Sequence, residues 1–356
     1  NLTFLMSASD TYFRKYLLQF KKPAGTSRGV MHKKETYFII KQGHDGKFGI
    51  GECGIFRGLS VDDRVNYEDM LQQVCNKWDE YKDHPEYLND WPSIQFGLEQ
   101  CVRSFESEGS AFTLFDTSFV KGNEGIWTNG LIWMGDPEYM RQQIETKLRE
   151  KFRCIKLKIG ALELEEEIEL IQFIRESNGG KAIEIRLDAN GAFSPRKAAK
   201  VLEKLSEYNI HSIEQPIKAG NLFAMKELCE NSPIPIALDE ELIGVHNRNA
   251  KDDLLSRLKP AYIILKPSLL GGFAACEEWI DIAREHQIKW WATSALESNI
   301  GLNAIAQWVA QFNLKLPQGL GTGGLFTNNF ISPLVMNGEE LRTDKHGEWD
   351  VRRLFR

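Results

Sequence analysis

One stretch decides the fold of this chain: CIKLKIGALELEEEIELIQFIRESNGGKAIEIRLD, residues 154–188. It predicts a short apolar strand at 154–159, an acidic helix at 163–176 and a second strand at 183–188. The same unit recurs along the chain from about residue 128. Strands that alternate with helices in this way are typical of a parallel sheet.

Working outward from this unit, we count eight strand candidates. They lie at 130–134, 154–159, 183–188, 211–214, 234–239, 262–266, 289–293 and the glycine-rich 319–324. Asp136-Pro137 and Ser194-Pro195 mark two of the helix starts between them. The pattern predicts a (β/α) barrel of the α/β class. An open, doubly wound sheet is the alternative, but the sequence lacks the glycine-rich fingerprint that usually follows its first strand.

The first hundred residues predict a different order of secondary-structure elements. Strand-like runs at 36–41 and 48–52 flank a turn at 43–46, and apolar residues at helical spacing follow at 66–78 and 93–105. Strands followed by helices indicate an α+β domain. We therefore predict such a domain over 1–125, a barrel over 126–325, and a C-terminal segment, 326–356, that packs back on the first domain.

Charged residues lie at or near the ends of five successive apolar strand candidates: Lys158, Asp188, Glu214, Asp239 and Lys266. They are 25–30 residues apart, one strand-plus-helix unit, so each returns to the carboxyl face where barrel active sites lie. A single acid there is often only a helix cap. Three acids in one barrel mouth repel one another unless a cation neutralises them. Ligands that are all oxygen favour Mg²⁺, with Mn²⁺ as a substitute.

The lysines predict acid–base chemistry. Lys156 and Lys158 are two apart on one strand, so they share a face. A neighbouring ammonium and partial desolvation lower the pKa of Lys158, which lets its neutral amine act as a base. Lys266 arrives from across the barrel. Two amines on opposite sides of a carbon beside a metal-bound carboxylate predict abstraction of the proton on that carbon.

Five ordered segments carry a family resemblance: CIKLKIG, RLDANGAF, SIEQPI, PIALDEEL and ILKPSLLGG. Together they resemble the enolase superfamily, muconate-lactonizing subgroup, over essentially the whole chain. The resemblance implies a (β/α)7β TIM-like barrel with an N-terminal α+β capping domain. It also implies that Asp188, Glu214 and Asp239 bind the metal and that Lys158 and Lys266 are the acid/base pair.

Neighbours of these residues have supporting roles in the same interpretation. Glu240 offers a second carboxylate beside Asp239, but Asp239 is the one in register with the other strand ends. Asn190, two residues past Asp188, is placed to orient a ligand or the base. Candidate substrate contacts come from the loops: Arg28, Phe56, Ser294 and Thr322. Loops of this kind are often only turns, and the two hydroxyls could equally be helix caps.

Within the subgroup, three segments resemble the o-succinylbenzoate synthases: KPSLLGG at 266–272, SALES at 294–298 and GLGTGG at 319–324. The resemblance implies a Mg²⁺-dependent hydro-lyase of menaquinone synthesis. It dehydrates a cyclohexadiene carboxylate, which bears a hydroxyl and a succinyl group, to an aromatic product. Lys158 would take the alpha proton and then assist the departure of hydroxide, while Lys266 stays an ammonium.

Two kinds of alternative remain open. An N-acylamino-acid racemase or dipeptide epimerase would use the same metal and lysines, although an epimerase should carry a D-x-D element after the eighth strand, and 319–324 contains no acid. An inactive barrel that serves as a binding protein is the other alternative. The presence of all five charged positions argues against it.

The composition of the chain limits the classes of molecule that it is expected to bind. A net charge of −6 and a pI near 5.8 argue against nucleic acid or an anionic membrane surface. No apolar stretch approaches the length of a spanning helix. The six cysteines are dispersed, which is typical of a reducing cytosol. We therefore expect a cytoplasmic enzyme with a small-molecule carboxylate substrate, and the sequence leaves a homo-oligomer open.

Overall fold

The computed structural model of the chain describes residues 10–44, 46–177 and 179–355. Asp45, which belongs to the predicted turn at 43–46, lies outside these ranges. No helix in the described ranges is both long and apolar enough to cross a membrane.

An antiparallel sheet of three strands, in the order β1-β2-β3, begins the capping domain. Its strands are β1 (Thr11–Thr26), β2 (Gly29–Gln42) and β3 (Phe48–Cys53), and its helices are α1 (Tyr67–Asn76), α2 (Trp78–Asp83) and α3 (Pro92–Glu106). The predicted strands at 36–41 and 48–52 fall within β2 and β3, which pair with each other. The predicted helix at 66–78 is wrong in one respect, since it breaks at Lys77 into α1 and α2.

A parallel sheet of seven strands, in the order β11-β10-β9-β8-β7-β6-β5, forms most of the barrel wall. The strands are β5 (Gly130–Ile132), β6 (Cys154–Lys158), β7 (Glu184–Asp188), β8 (Ser212–Glu214), β9 (Ile236–Leu238), β10 (Tyr262–Leu265) and β11 (Lys289–Ala292). The helices are α4 (Pro137–Arg149), α5 (Leu164–Glu176), α6 (Pro195–Leu205), α7 (Leu222–Asn231), α8 (Arg248–Leu258), α9 (Pro267–Leu270), α10 (Gly272–Glu285) and α11 (Asn299–Val309). The expected barrel with its α+β cap is therefore confirmed.

The predicted eighth strand at 319–324 is wrong in extent. Single parallel bridges join Thr128 to Gln318 and Thr293 to Gly319, and these occupy the eighth place in the wall. The residues from 321 to 324 form turns instead. Three of these four are glycine, which has no side chain to pack in a strand and favours turns.

Side chains at the helix starts act as the sequence predicts. Asp136 accepts a hydrogen bond from the backbone N–H of Tyr139, and Ser194 accepts one from that of Lys197. Proline is the first residue of each of these two helices. Such caps satisfy backbone donors that have no partner within the helix.

The C-terminal residues meet both parts of the molecule. Strands β12 (Leu334–Asn337) and β13 (Glu340–Thr343) form a small antiparallel sheet with β4 (Ile126–Trp127). Phe330 packs its ring on Tyr16 and Phe38 of the capping domain, with ring centroids 5.0 and 5.4 Å apart. The division of the chain at residues 125 and 325 stays a prediction. Short 3₁₀ helices lie at Pro85–Leu88, Gly180–Ala182, Ser206–Tyr208, Glu240–Leu242, Ala310–Phe312 and Arg352–Leu354.

Candidate active site

Five charged side chains meet at the carboxyl ends of neighbouring strands. Lys158, Asp188 and Glu214 are the last residues of β6, β7 and β8, and the strand register places them side by side. Asp239 follows β9 directly, and Lys266 follows β10. These strands are adjacent in the sheet, so each strand-plus-helix unit places its charged residue at the same barrel mouth.

The lysines and carboxylates alternate in direct contact. Lys156 Nζ lies 2.9 Å from Asp188 Oδ2 and 2.5 Å from Glu214 Oε2. Lys158 Nζ is also 2.9 Å from Asp188 Oδ2. Lys266 pairs with Asp239, and its Nζ lies 3.6 Å from Glu214 Oε1. Three ammonium groups thus balance three carboxylates, which makes their burial tolerable.

The two acid/base lysines differ in their electrostatic surroundings. Burial lowers the pKa of Lys158; Asp188 opposes this and Lys156 adds to it, and the pKa remains below its ordinary value. Burial acts in the same direction on Lys266, but Asp239, Glu214 and other acids outweigh it and raise its pKa. Lys158 is therefore the more easily neutralised amine. Lys266 keeps its charge.

The carboxylates also respond to their burial. Burial raises the pKa of Glu214, and the nearby charge of Asp188 raises it further. Burial opposes the ionised form of Asp188 too, but Lys156 and Lys158 outweigh it and lower its pKa. Asp188 is thus held as an anion between two ammonium groups.

The carboxylates suit a divalent cation in their chemistry. Among the described residues, no group of three or more His, Cys, Asp or Glu side chains stands in an arrangement that holds a metal by itself. The predicted ligands Asp188, Glu214 and Asp239 are instead paired with lysines. Yet Glu214 Oε1 is buried without a hydrogen-bond partner from any described residue, and the three carboxylates offer the hard oxygen ligands that such a cation prefers. The residues present therefore fit Mg²⁺ or Mn²⁺, and the ligand set stays a prediction.

A cavity opens above this cluster, and all four predicted loop residues lie on its wall: Arg28, Phe56, Ser294 and Thr322. The Ser294 hydroxyl is already engaged, since it donates to Glu297 Oε2 at 2.6 Å and accepts from the N–H of Leu296 at 3.0 Å. Thr322 Oγ1 is buried and has no hydrogen-bond partner in the described part of the chain. Substrate contact by these residues stays a prediction.

The two supporting residues contact each other as well as the site. Asn190 Oδ1 accepts a hydrogen bond from Lys158 Nζ at 2.9 Å. The Asn190 side-chain amide donates to Glu240 Oε1 at 3.2 Å, and the same oxygen pairs with Arg28. The charge of Arg28 is therefore paired with a carboxylate of the protein.

Sequence reasoning missed several residues of the cavity wall. Trp133, just after β5, has its ring centroid 5.7 Å from Lys158 Nζ, and Thr293 and Asn129 also line the cavity. Within the described residues, the oxygens Asn129 Oδ1 and Thr293 Oγ1 have no hydrogen-bond partner. Trp133 and Thr293 lie at the carboxyl ends of the predicted strands 130–134 and 289–293, where barrel active sites are built, and this was the available signal for them. Asn129 precedes its strand and carried no such signal.

A histidine and two tryptophans on or next to the barrel strands lie away from the cavity. His211 is in contact with Tyr262 and Ser212, at the start of β8. Trp291 is buried against Tyr262, while Trp290 packs on Trp308 and Phe312 of the helical layer. Neither tryptophan lines the cavity. Core packing therefore accounts for both.

Comparison with known proteins agrees with this geometry. Residues 139–319 match the family model described as Enolase C-terminal domain-like. An o-succinylbenzoate synthase from Desulfotalea psychrophila is 43% identical over 94% of this chain and 98% of its own length. The crystal structure of MenC from the same organism superposes with a TM-score of 0.82 at 40% identity, over 95% of this chain and 100% of that one.

A more distant structure agrees in fold alone. The dipeptide epimerase from Enterococcus faecalis V583, complexed with Mg and the dipeptide L-Leu-L-Tyr, is 20% identical. Its TM-score is 0.79, and the match covers 95% of this chain and 97% of that one. The family match, the long alignment with the synthase and the capped barrel together lead to one conclusion: this chain belongs to the enolase superfamily.

Proposed function

We propose that this protein is a Mg²⁺-dependent hydro-lyase that forms o-succinylbenzoate from the corresponding hydroxylated cyclohexadiene carboxylate. The observation that carries the proposal is the placement of Lys158 and Lys266 on one cavity, above three buried carboxylates. The synthase that is 43% identical over nearly its full length supports this substrate. We place the reaction in menaquinone synthesis, in the cytoplasm, with a small-molecule carboxylate as its substrate.

Lys158 would carry out the proton transfers. Its lowered pKa gives it a neutral amine that takes the proton from the carbon beside the substrate carboxylate. The same amine, now an ammonium, would return that proton to the departing hydroxide. One C–H bond and one C–O bond break, water leaves, and the ring becomes aromatic. Lys266, whose pKa is raised, would remain charged and stabilise the negative charge that develops.

The carboxylates would hold the metal. In this proposal Asp188, Glu214 and Asp239 bind Mg²⁺, or Mn²⁺ in its place. When bound, the ion would withdraw charge from the substrate carboxylate and so make the neighbouring proton more acidic. Lys156 would stay between Asp188 and Glu214, where it fixes the orientation of both side chains.

The racemase and epimerase alternatives use the same central residues. Epimerases grip the ammonium group of a dipeptide, and this requires acids near the substrate. The turn that follows the eighth place in the barrel wall has no acid, and Thr322 of this turn lines the cavity. This favours a substrate without an ammonium group, so an N-acylamino-acid racemase is the stronger of these alternatives.

A two-substrate assay tests the proposal. We expect the purified protein with Mg²⁺ to convert the cyclohexadiene carboxylate to an aromatic product, followed by ultraviolet absorbance. Chelation with EDTA should abolish this turnover, and added Mg²⁺ or Mn²⁺ should restore it. Exchange of the alpha proton of an N-succinylamino acid in deuterated water would report racemase chemistry. Exchange without any dehydration would overturn the synthase proposal.

A further inference from the structure

The tip of the β1–β2 hairpin is fastened to the barrel at two points. Ser27 Oγ donates to the backbone carbonyl of Ala189 at 2.8 Å, and Arg28 pairs with Glu240. The tip is also braced internally, because the Arg28 N–H donates to Thr26 Oγ1 at 3.1 Å. Ala189 lies between Asp188 and Asn190, so the hairpin bonds directly to the segment that carries the site.

Glu240 links the hairpin to the proposed base. The oxygen that pairs with Arg28, Glu240 Oε1, also accepts from the Asn190 amide nitrogen at 3.2 Å. Asn190 Oδ1 in turn accepts from Lys158 Nζ at 2.9 Å. Four side chains thus form an unbroken series from the hairpin tip to the amine: Arg28, Glu240, Asn190 and Lys158.

The chemistry of the amide gives this series a direction. A carboxylate only accepts hydrogen bonds, so Glu240 requires the NH₂ side of the Asn190 amide to face it. The carbonyl oxygen is then the side that faces Lys158. The backbone of Asn190 is held separately, since its N–H donates to Asp188 Oδ1 at 3.1 Å. What Glu240 controls is therefore the rotation of the amide about its last bond.

Arg28 in turn controls Glu240. The Glu240 side chain is 10% exposed, and its second oxygen, Oε2, has no hydrogen-bond partner among the residues that the structure describes. The Arg28 side chain is 36% exposed, and solvent at this end of the pair screens its contribution to stability. The effect of Arg28 is instead geometric, because it holds in place the Glu240 carboxylate, which otherwise accepts only the hydrogen bond from Asn190.

We propose that Arg28 is a positioning residue for Lys158, acting through Glu240 and Asn190. Docking of the hairpin tip fixes the position of the Glu240 carboxylate, and this carboxylate sets the orientation of the Asn190 amide. The amide oxygen then accepts a hydrogen bond from the Lys158 amine and aligns it for proton transfer. The base is then aligned only when the hairpin covers the cavity. This inference rests on the proposed role of Lys158 as the base. It differs from direct substrate binding by Arg28, which would act on affinity.

Steady-state kinetics separate these two roles. With the full-length protein, Mg²⁺ and the dehydration substrate, we expect Arg28→Met to lower kcat by about 10- to 100-fold and to change KM by less than about threefold. Arg28→Lys retains a cation and should recover most of the lost kcat. Arg14→Met is the matched control, because Arg14 is an exposed arginine of β1 whose guanidinium donates to the carbonyl of Phe13 and lies over the ring of Tyr12. It should behave as the wild type.

A double-mutant cycle tests the path. If Arg28 acts through Asn190, then Arg28→Met should change kcat by less than about twofold in an Asn190→Ala background. Equal effects of Arg28→Met in both backgrounds would overturn the inference. So would a rise in KM at unchanged kcat, which would indicate that Arg28 binds the substrate. Thermal unfolding of each variant checks that losses do not come from misfolding.

A structural readout tests the positioning of Lys158 without a measurement of turnover. In a crystal structure of Arg28→Met we expect Asn190 Oδ1 to have moved beyond hydrogen-bond distance of Lys158 Nζ, while the wild type keeps this contact. An unchanged contact would overturn the inference, whatever substrate the protein turns over. Absence of dehydration by the wild type would instead overturn the proposed function and leave this comparison intact.

Discussion

At the scale of single residues, the unequal environments of two lysines define the chemistry. Burial lowers the pKa of Lys158, whereas the surrounding acids raise the pKa of Lys266. We expect Lys158→Ala to lower kcat for dehydration by about 10³-fold, because it removes the group that takes the proton. Measurement of aromatic product formation with Mg²⁺ at saturating substrate checks this.

Lys289→Ala is the matched control for that prediction. Lys289 is an exposed lysine at the opposite, amino end of a barrel strand, β11. It should retain wild-type kcat. Dehydration by Lys158→Ala at more than about a tenth of the wild-type rate would contradict the role of Lys158 as the base.

The central charges were predictable from sequence because each ends an apolar strand, and the strand-plus-helix spacing fixes where it points. The contacts of Arg28 were not. Its partner Glu240 is 212 residues away along the chain, and only docking of the hairpin on the barrel brings the two together. Trp133 escaped prediction for the same reason, since its proximity to Lys158 depends on the pairing of β5 with β6.

At the scale of elements, a carboxylate from the capping domain caps the N-terminus of helix α11. Glu52, on β3, accepts hydrogen bonds from the N–H groups of Ser298 and Gly301, both at 2.9 Å, and from the Ser298 hydroxyl at 2.5 Å. An acid at this place satisfies donors that the helix leaves open and complements its dipole. The sequence placed Glu52 only at the end of a strand-like run, because its partners on α11 lie more than 240 residues away.

We expect Glu52→Ala to lower the free energy of unfolding by about 3 kcal/mol, because it leaves buried N–H donors without an acceptor. Urea titration followed by circular dichroism measures this change. Glu52→Gln keeps one acceptor oxygen and should lose less. Glu106→Ala, at the exposed end of α3, is the control and should unfold as the wild type does. A Glu52→Ala protein as stable as this control would contradict the capping role.

The strand predictions also differ in their success at this scale. Runs of apolar residues marked β2, β3 and the barrel strands, because those strands are buried on at least one face. Strand β1 has mostly exposed or half-buried residues and a lysine-rich sequence, so its pairing with β2 decides its structure. Propensity and periodicity carry little signal for such an edge strand.

At the scale of the whole molecule, a second carboxylate joins the capping domain to the barrel. Glu99, on α3, accepts hydrogen bonds from the N–H groups of Phe273 and Ala274 at the start of α10, at 2.5 and 3.1 Å. Gly272 has a φ of +92°, and a Cβ there would overlap the Glu99 carboxylate. Glycine at this position therefore permits both the turn and the approach of the two domains.

This contact predicts how the stability of the docked molecule depends on pH. Burial raises the pKa of Glu99 to about 7, against the opposing effect of its two N–H donors. Arg103 also lowers it, and Glu277 raises it. A raised carboxyl pKa means that, between about pH 4.5 and pH 7, the folded protein holds a proton that the unfolded chain releases. This contribution to stability is complete below that range and is lost as pH rises through it.

Glu99→Gln does not titrate, so we expect its free energy of unfolding, relative to the wild type, to increase between pH 5 and pH 7 by on the order of 2 kcal/mol. Urea titrations at pH 5, 6, 7 and 8 measure the difference. Other buried acids with raised pKa values, among them Asp62, Glu167 and Glu214, are common to both proteins, so their effects cancel. Glu106→Gln, on the same helix, should run parallel to the wild type. A constant difference between Glu99→Gln and the wild type at all four pH values would exclude Glu99 as the titrating group at the junction of the two domains.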